Sequence, residues 1–130
     1  MDTRTKILAF GEAIEAARTL RQQGRRLKVV TGCFDPLIAA HAQRLKALHD
    51  GGAALMIVVA DPPRPILPAR ARAELVAGLS VVDFVALPGA GRLEELLNSL
   101  DTADVVRGEA ADLALTRELI LHVHARQQAE

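Results

Sequence analysis

The chain has 130 residues, the length of a single domain spanning residues 1–130, and half of them are apolar, which is enough for a sizeable core. Its 16 basic and 16 acidic side chains cancel, it has no Trp or Tyr, and it has only three Phe. Zero net charge argues against binding to nucleic acid or to a membrane surface. The scarcity of aromatic rings argues against a platform for stacked bases.

Cysteine and histidine usage indicates no disulfide and no metal site. Cys33 is the single cysteine and cannot form an internal disulfide, and no metal-binding cysteine pair is present. His122 and His124 lie two apart on a predicted helix, so they point to different faces and form a poor metal pair. The N-terminal residues do not resemble a signal peptide, and no run is apolar enough to span a bilayer. We therefore expect a cytoplasmic protein.

Apolar spacing and turn residues predict helices that alternate with strands. Helical spacing predicts a helix over 11–23, and a β-rich run follows at 27–31. A helix is predicted over 39–49, and the continuous apolar run at 55–60 is typical of a strand buried on both faces. Prolines between 61 and 65 exclude a helix or a central strand there. The remaining predicted elements are a helix from 68 to about 79, strands over 81–87 and 103–106, and helices over 92–100 and 113–128.

This alternation predicts the fold class. Strand–helix–strand units form right-handed crossovers and a parallel sheet. We therefore expect an α/β, Rossmann-like three-layer sandwich with about four parallel strands, preceded by an N-terminal helix. The strand over 27–31 should be central, with the strand over 103–106 beside it, so that its loop lies at a topological switch point. Ligands bind such sheets beyond the carboxyl ends of the strands.

The loop after the first predicted strand has the features of an anion site. Gly32 permits close approach of a ligand to the backbone, and the helix that follows begins with unpaired N–H groups. His41 lies in the first turns of that helix. If the chain binds phosphate, the phosphate should contact the N–H groups after Gly32, His41 and Arg107. Arg107 lies at the carboxyl end of the neighbouring predicted strand.

The segment from Leu27 to His41 resembles the cytidylyltransferase-like nucleotidyltransferases, whose signature is a strand, then G-x-F-D, then H-x-G-H. Further blocks in the same order resemble the adenylyltransferase domain of bifunctional heptose-phosphate enzymes, over roughly the first four-fifths of the chain. These blocks are Arg64-Pro65-Ile66 (R-P-I), Arg72-Ala73-Glu74 (R-A-E), Val82-Asp83-Phe84-Val85 (V-D-Y-V) and Asp104-Val105-Val106-Arg107-Gly108 (D-V-L-V-K-G).

The resemblance implies transfer of a nucleoside monophosphate from ATP or CTP to a sugar phosphate, with Mg²⁺ and release of pyrophosphate. The protein would supply positioning and positive charge, without covalent catalysis. His41 would be the catalytic residue. The nucleotide-binding set would be Thr31, Gly32, Cys33, Phe34, Asp35, His41, Arg72 and Arg107.

The signature is incomplete in this chain. Ile38 stands where the family has its first histidine and cannot donate a hydrogen bond, and Ala40 stands where it has glycine. The loop with a phosphate-binding lysine is shortened, because 60–63 lead almost directly to Arg64, and the last strand with its S-T-T helix start is compressed away. Losing several groups, each contributing roughly 2–4 kcal/mol to a transition state, predicts weak or lost catalysis.

Three functions remain open at this point: a minimal sugar-phosphate nucleotidyltransferase, a regulatory or structural module that binds a nucleotide or a partner protein, and an oligomerisation module that forms a homodimer. Several site residues also have structural alternatives. These are Phe34 as core, Asp35 as a cap, Cys33 as a small buried filler, Arg72 in a surface ion pair with Glu74 or another carboxylate, and Arg107 neutralised by Asp35 or Asp104.

Overall fold

The computed structural model describes residues 2–49, 51–112, 117–121 and 123. A short 3₁₀ turn at Thr3–Lys6 opens the described chain. Within these residues the strands are β1 (Ile7–Ala9), β2 (Arg26–Gly32), β3 (Ala53–Val59), β4 (Phe84–Leu87) and β5 (Val105–Arg107), and the helices between them are α1 (Phe10–Gln22), α2 (Ala39–Leu48), α3 (Ala69–Ala77) and α4 (Leu93–Leu100). Residues 109–112, 117–121 and 123 are also helical.

All the strands are parallel and follow the order β1-β4-β3-β2-β5. β2 pairs with β3 along its whole length and with β5 on its other side, where Thr31 lies opposite Arg107. The chain moves from β2 through β3 to β4 in one direction and then returns to the far side of β2 for β5. The loop after β2 therefore lies at the predicted switch point.

The sheet has five strands, where about four were expected, because β1 carries no local signal. The β1 strand has three residues, which is too few for an alternating pattern. It forms because Ile7 pairs with Val85 of β4. The α1 helix consequently follows a strand and is not the first element. The start of β4 also differs from the prediction, because a turn in which the Val82 N–H donates to the Leu79 carbonyl delays the strand to Phe84.

The core lies on both faces of the sheet and gives the expected three layers. Every residue of β3 is buried, and its side chains alternate between the two faces. Met56 and its even-numbered neighbours pack against α1 and α4, whereas Ile57 and its odd-numbered neighbours pack against α2 and α3. Most of the helix predicted over 113–128, with His122 and His124, lies outside the described residues. Among those that are described, no helix is long and apolar enough to cross a membrane.

The packing of α4 on the sheet gives a stability prediction. Leu96 is 0% exposed in the core beneath α4, whereas Leu75 on α3 is 46% exposed. We expect Leu96→Ala to lower the free energy of unfolding by about 2–5 kcal/mol, because it removes buried contacts and leaves a cavity. The matched control Leu75→Ala should change it by less than about 0.5 kcal/mol in urea unfolding. Equal losses in the two variants would contradict this packing.

Candidate functional site

Hydrogen-bond donors from two elements converge on one buried carboxylate at the carboxyl end of β2. The Cys33 N–H donates to Asp112 Oδ2 at 2.7 Å, and Arg44 Nη2 donates to Asp112 Oδ1 at 2.8 Å. His41 Nε2 lies 3.1 Å from the same Oδ1 atom. Asp112 is completely buried. We call the Cys33 N–H, His41 and Arg44 the anion cradle.

The start of α2 orients His41 toward Asp112. His41 is the third residue of the helix, and its Nδ1 accepts a hydrogen bond from the Ile38 N–H at 3.0 Å, which caps the helix start. Because Nδ1 is an acceptor, that bond assigns the proton of a neutral imidazole to Nε2. The ring also packs edge-on against Phe34, with 5.4 Å between centroids. Arg44 follows three residues later on the same helix face.

Two glycines allow Asp112 to reach the loop. A Cβ atom on Gly32 would collide with Asp112 Oδ2 and would lie 2.6 Å from Cζ of Phe34. A Cβ atom on Gly108 would lie 2.6 Å from the Thr31 carbonyl oxygen, and the Gly108 N–H donates to Thr31 Oγ1 at 3.1 Å. The chain leaving β5 therefore crosses the end of β2 in close contact and brings Asp112 over the loop.

The cradle perturbs the acidity of two groups. Burial acts most strongly on Asp112 and would raise its pKa, but the His41 and Arg44 side chains together outweigh burial and hold the pKa below its ordinary value. Burial, and next the charge of Asp112, raise the pKa of the Cys33 thiol to about 11. Cys33 is therefore a buried, protonated thiol at neutral pH, as its alternative interpretation as a filler requires.

Asp35 holds a neighbouring loop in place. Its carboxylate is buried and accepts hydrogen bonds from the Ile66 N–H at 2.6 Å and the Leu67 N–H at 2.7 Å. These bonds fix the segment that leads into α3 against the loop after β2. The structure thus gives Asp35 a structural contact at the position where the resemblance implies nucleotide binding.

Arg72 ties three segments together from a buried position. Its guanidinium donates to the carbonyl oxygens of Cys33 at 3.1 Å, Ala60 at 2.8 Å and Leu67 at 3.0 Å. It also forms an ion pair with Asp61 at 2.8 Å. The alternative of an ion pair with a carboxylate is therefore confirmed with Asp61 as the partner, but its surface location is wrong for Arg72, which is only 1% exposed.

The backbone of Arg107 lies beside the end of β2, but its side chain forms its ion pairs with residues outside the loop after β2. Its backbone is opposite Thr31, as expected. Its side chain, however, pairs with Glu94 Oε1 at 2.6 Å and Glu109 Oε1 at 2.8 Å. The alternative in which Asp35 or Asp104 neutralises Arg107 is therefore wrong. Arg44 supplies the positive charge at the cradle in place of Arg107.

Two clefts flank the cradle at the carboxyl edge of the sheet. The larger, of about 470 Å³, is bordered by the ends of β3, β4 and β5 and includes Asp61, Gly89 and Ala110. The smaller, of about 320 Å³, is lined by residues that include Cys33 and Arg64. The part of the chain that the structure describes holds no cluster of three metal-binding side chains.

The chain is similar to part of a bacterial bifunctional protein. It is 28% identical over 112 residues to the bifunctional protein HldE of Desulfatibacillum aliphaticivorans, covering 79% of this chain and 23% of the relative. It is 28% identical over 116 residues to HldE of Vibrio parahaemolyticus, covering 82% and 24%. HldE of Chromohalobacter salexigens is 36% identical over 81 residues, covering 55% and 17%. No family model matches the chain.

These comparisons confirm the relation to the adenylyltransferase domain of HldE that the ordered sequence blocks predict. The chain spans less than a quarter of the length of each of the three relatives named. The relation therefore concerns one part of a longer protein.

The contacts of Arg72 give a second stability prediction. Arg72→Met should lower the free energy of unfolding by about 3 kcal/mol, because buried carbonyl oxygens lose their donors. The matched control is Arg70→Met on the same helix, where an exposed ion pair with Glu74 is lost. Its effect should stay below about 1 kcal/mol in urea unfolding. An Arg72→Met variant as stable as the parent protein would contradict the structural role of Arg72.

Proposed function

Because the chain is related to the adenylyltransferase domain of HldE, we propose that it is a nucleotidyltransferase-like domain that binds the phosphate groups of a nucleotide and has lost nucleotidyl transfer. The observation that carries this proposal is the convergence of the Cys33 N–H, His41 and Arg44 on one buried anion. Backbone N–H groups, imidazole and guanidinium are donors that suit phosphate oxygens. The carboxylate of Asp112 takes contacts that could serve a phosphate group, which supports this proposal.

The larger cleft is suited to the nucleoside. Its volume of about 470 Å³ falls within the range of small-molecule sites, and it opens beside the segment that carries Asp112. A nucleotide could place its phosphates in the cradle and its base and ribose in this cleft. ATP and CTP are both candidate ligands, and Mg²⁺ would enter with the triphosphate, which supplies the oxygens that this ion prefers.

The side chains around the cradle support a loss of transfer. Nucleotidyl transfer needs positive charge aimed at the phosphoryl group in the transition state. Ile38, which caps α2, offers an aliphatic side chain there, and Arg72 is fully engaged by carbonyl oxygens and Asp61. Arg107 is paired with two glutamates. The charge of Arg44 is matched by that of Asp112.

The second candidate function is that of an oligomerisation module that forms a homodimer. It is favoured by large apolar side chains that are exposed on the described part of the C-terminal helix. These side chains are Leu119, Ile120, Leu121 and Val123.

The proposal predicts binding without turnover. In isothermal titration with Mg²⁺, ATP or CTP should bind at least about tenfold more tightly than the matching nucleoside, because charge-assisted bonds to phosphate carry the affinity. A coupled pyrophosphate assay with sugar phosphates should show no release.

Turnover of about 1 per second, an ordinary enzyme rate, would contradict the loss of catalysis. Equal affinities for nucleotide and nucleoside would contradict phosphate recognition. Absence of any nucleotide binding, together with a dimeric mass in light scattering, would favour the homodimer.

A further inference from the structure

We propose that the Asp112 side chain is an intramolecular occupant of the phosphate site, and that an incoming phosphate group binds by displacing it. This inference rests on the proposed function and concerns how the same site is regulated. The carboxylate is fully buried and takes the contacts that an anionic ligand would take, at 2.7 Å from the Cys33 N–H and 2.8 Å from Arg44.

The cradle has more donors than the carboxylate satisfies. His41 Nε2 and Arg44 Nε are buried, and neither has an aligned hydrogen-bond acceptor among the described residues. Asp112 has two oxygens in one plane; Oδ2 serves Cys33, and Oδ1 faces both Arg44 and His41. A phosphate group has three terminal oxygens in a tetrahedral arrangement and can offer separate acceptors to these donors. Because a buried donor without an aligned acceptor is unfavourable, we expect a phosphate group to suit these donors at least as well as the carboxylate does.

The segment that carries Asp112 lies between the cradle and the larger cleft. Glu109 and Ala110 line the cleft, and Asp112 fills the cradle two residues later. This short helical turn begins at Gly108, whose N–H donates to Thr31 Oγ1. Withdrawal of Asp112 would therefore open the cradle next to the cleft that Glu109 and Ala110 line.

An internal occupant lowers the apparent affinity of the site. The dissociation constant rises in inverse proportion to the fraction of molecules in which Asp112 is withdrawn. If that fraction is about one in ten or less, removing the carboxylate should tighten phosphate binding at least tenfold. Removing a carboxylate also makes the net charge of the protein more positive, so the experiment needs a control variant with the same change in net charge.

The test uses Asp112→Ala, with Asp104→Ala as the matched control. Asp104 is exposed at the opposite end of β5, so its replacement makes the same change in net charge without touching the cradle. Inorganic phosphate and pyrophosphate are titrated into the parent and both variants by calorimetry. We expect the Asp112 variant alone to bind phosphate at least about tenfold more tightly. Equal affinities in all three proteins, or no binding by the folded Asp112 variant, would overturn the proposal.

Two further measurements keep the outcome decisive. If Asp112→Ala does not fold, amide hydrogen exchange is followed in the parent protein, where saturating pyrophosphate should accelerate exchange in residues 109–112. Unchanged exchange there would overturn the proposal.

ATP titrations separate the displacement of Asp112 from the proposed function of nucleotide binding. Tight ATP binding by the parent with no gain in the variant rejects displacement alone, whereas a phosphate gain without any ATP binding rejects only the nucleotide function.

Discussion

A buried carboxylate is stable only where donors surround it, and the donors that surround Asp112 determine the geometry of the whole site. The Cys33 N–H and Arg44 lie 2.7 and 2.8 Å from its two oxygens, and His41 completes the ring at 3.1 Å. These contacts fix the loop after β2, the first turns of α2 and the segment after β5 relative to one another. The parallel sheet brings these segments to one edge, and the lack of a Cβ atom at Gly32 and Gly108 permits their close approach.

A second buried charge gives residues of the motif blocks a structural role that does not depend on catalysis. Arg72 binds the carbonyl oxygens of Cys33 and Ala60, and Asp35 binds the N–H groups that precede α3. Both residues belong to blocks that resemble the nucleotidyltransferase family, and both hold loops together here. Their structural contacts give a reason to retain them that is independent of chemistry. Ile38 and Ala40, which lie at the start of α2, depart from the signature.

The sequence was sufficient for elements whose signal is local and insufficient for contacts between distant segments. Periodicity and turn residues predicted α1 to α4, the parallel sheet and the switch point after β2. The sequence did not predict β1, because this strand forms only by pairing with β4 near residue 85. It did not predict the role of Asp112, because Asp112 lies 79 residues from Cys33 along the chain. Arg44 had a readable signal, since three residues after His41 is the same helix face. The register placed the backbone of Arg107 well, but Glu94 and Glu109 decide where its side chain goes.

The charged Asp112 carboxylate accepts a hydrogen bond from the Cys33 N–H of the loop after β2, and NMR of the Cys33 amide tests this contact most directly. A charge-assisted bond of 2.7 Å should move this amide proton downfield and slow its exchange. On acid titration its shift should follow protonation of Asp112, with a midpoint below the ordinary carboxyl pKa of 3.8, because the cradle favours the charged form. A Cys33 amide that exchanges like an open loop and does not respond in that pH range would contradict the claim.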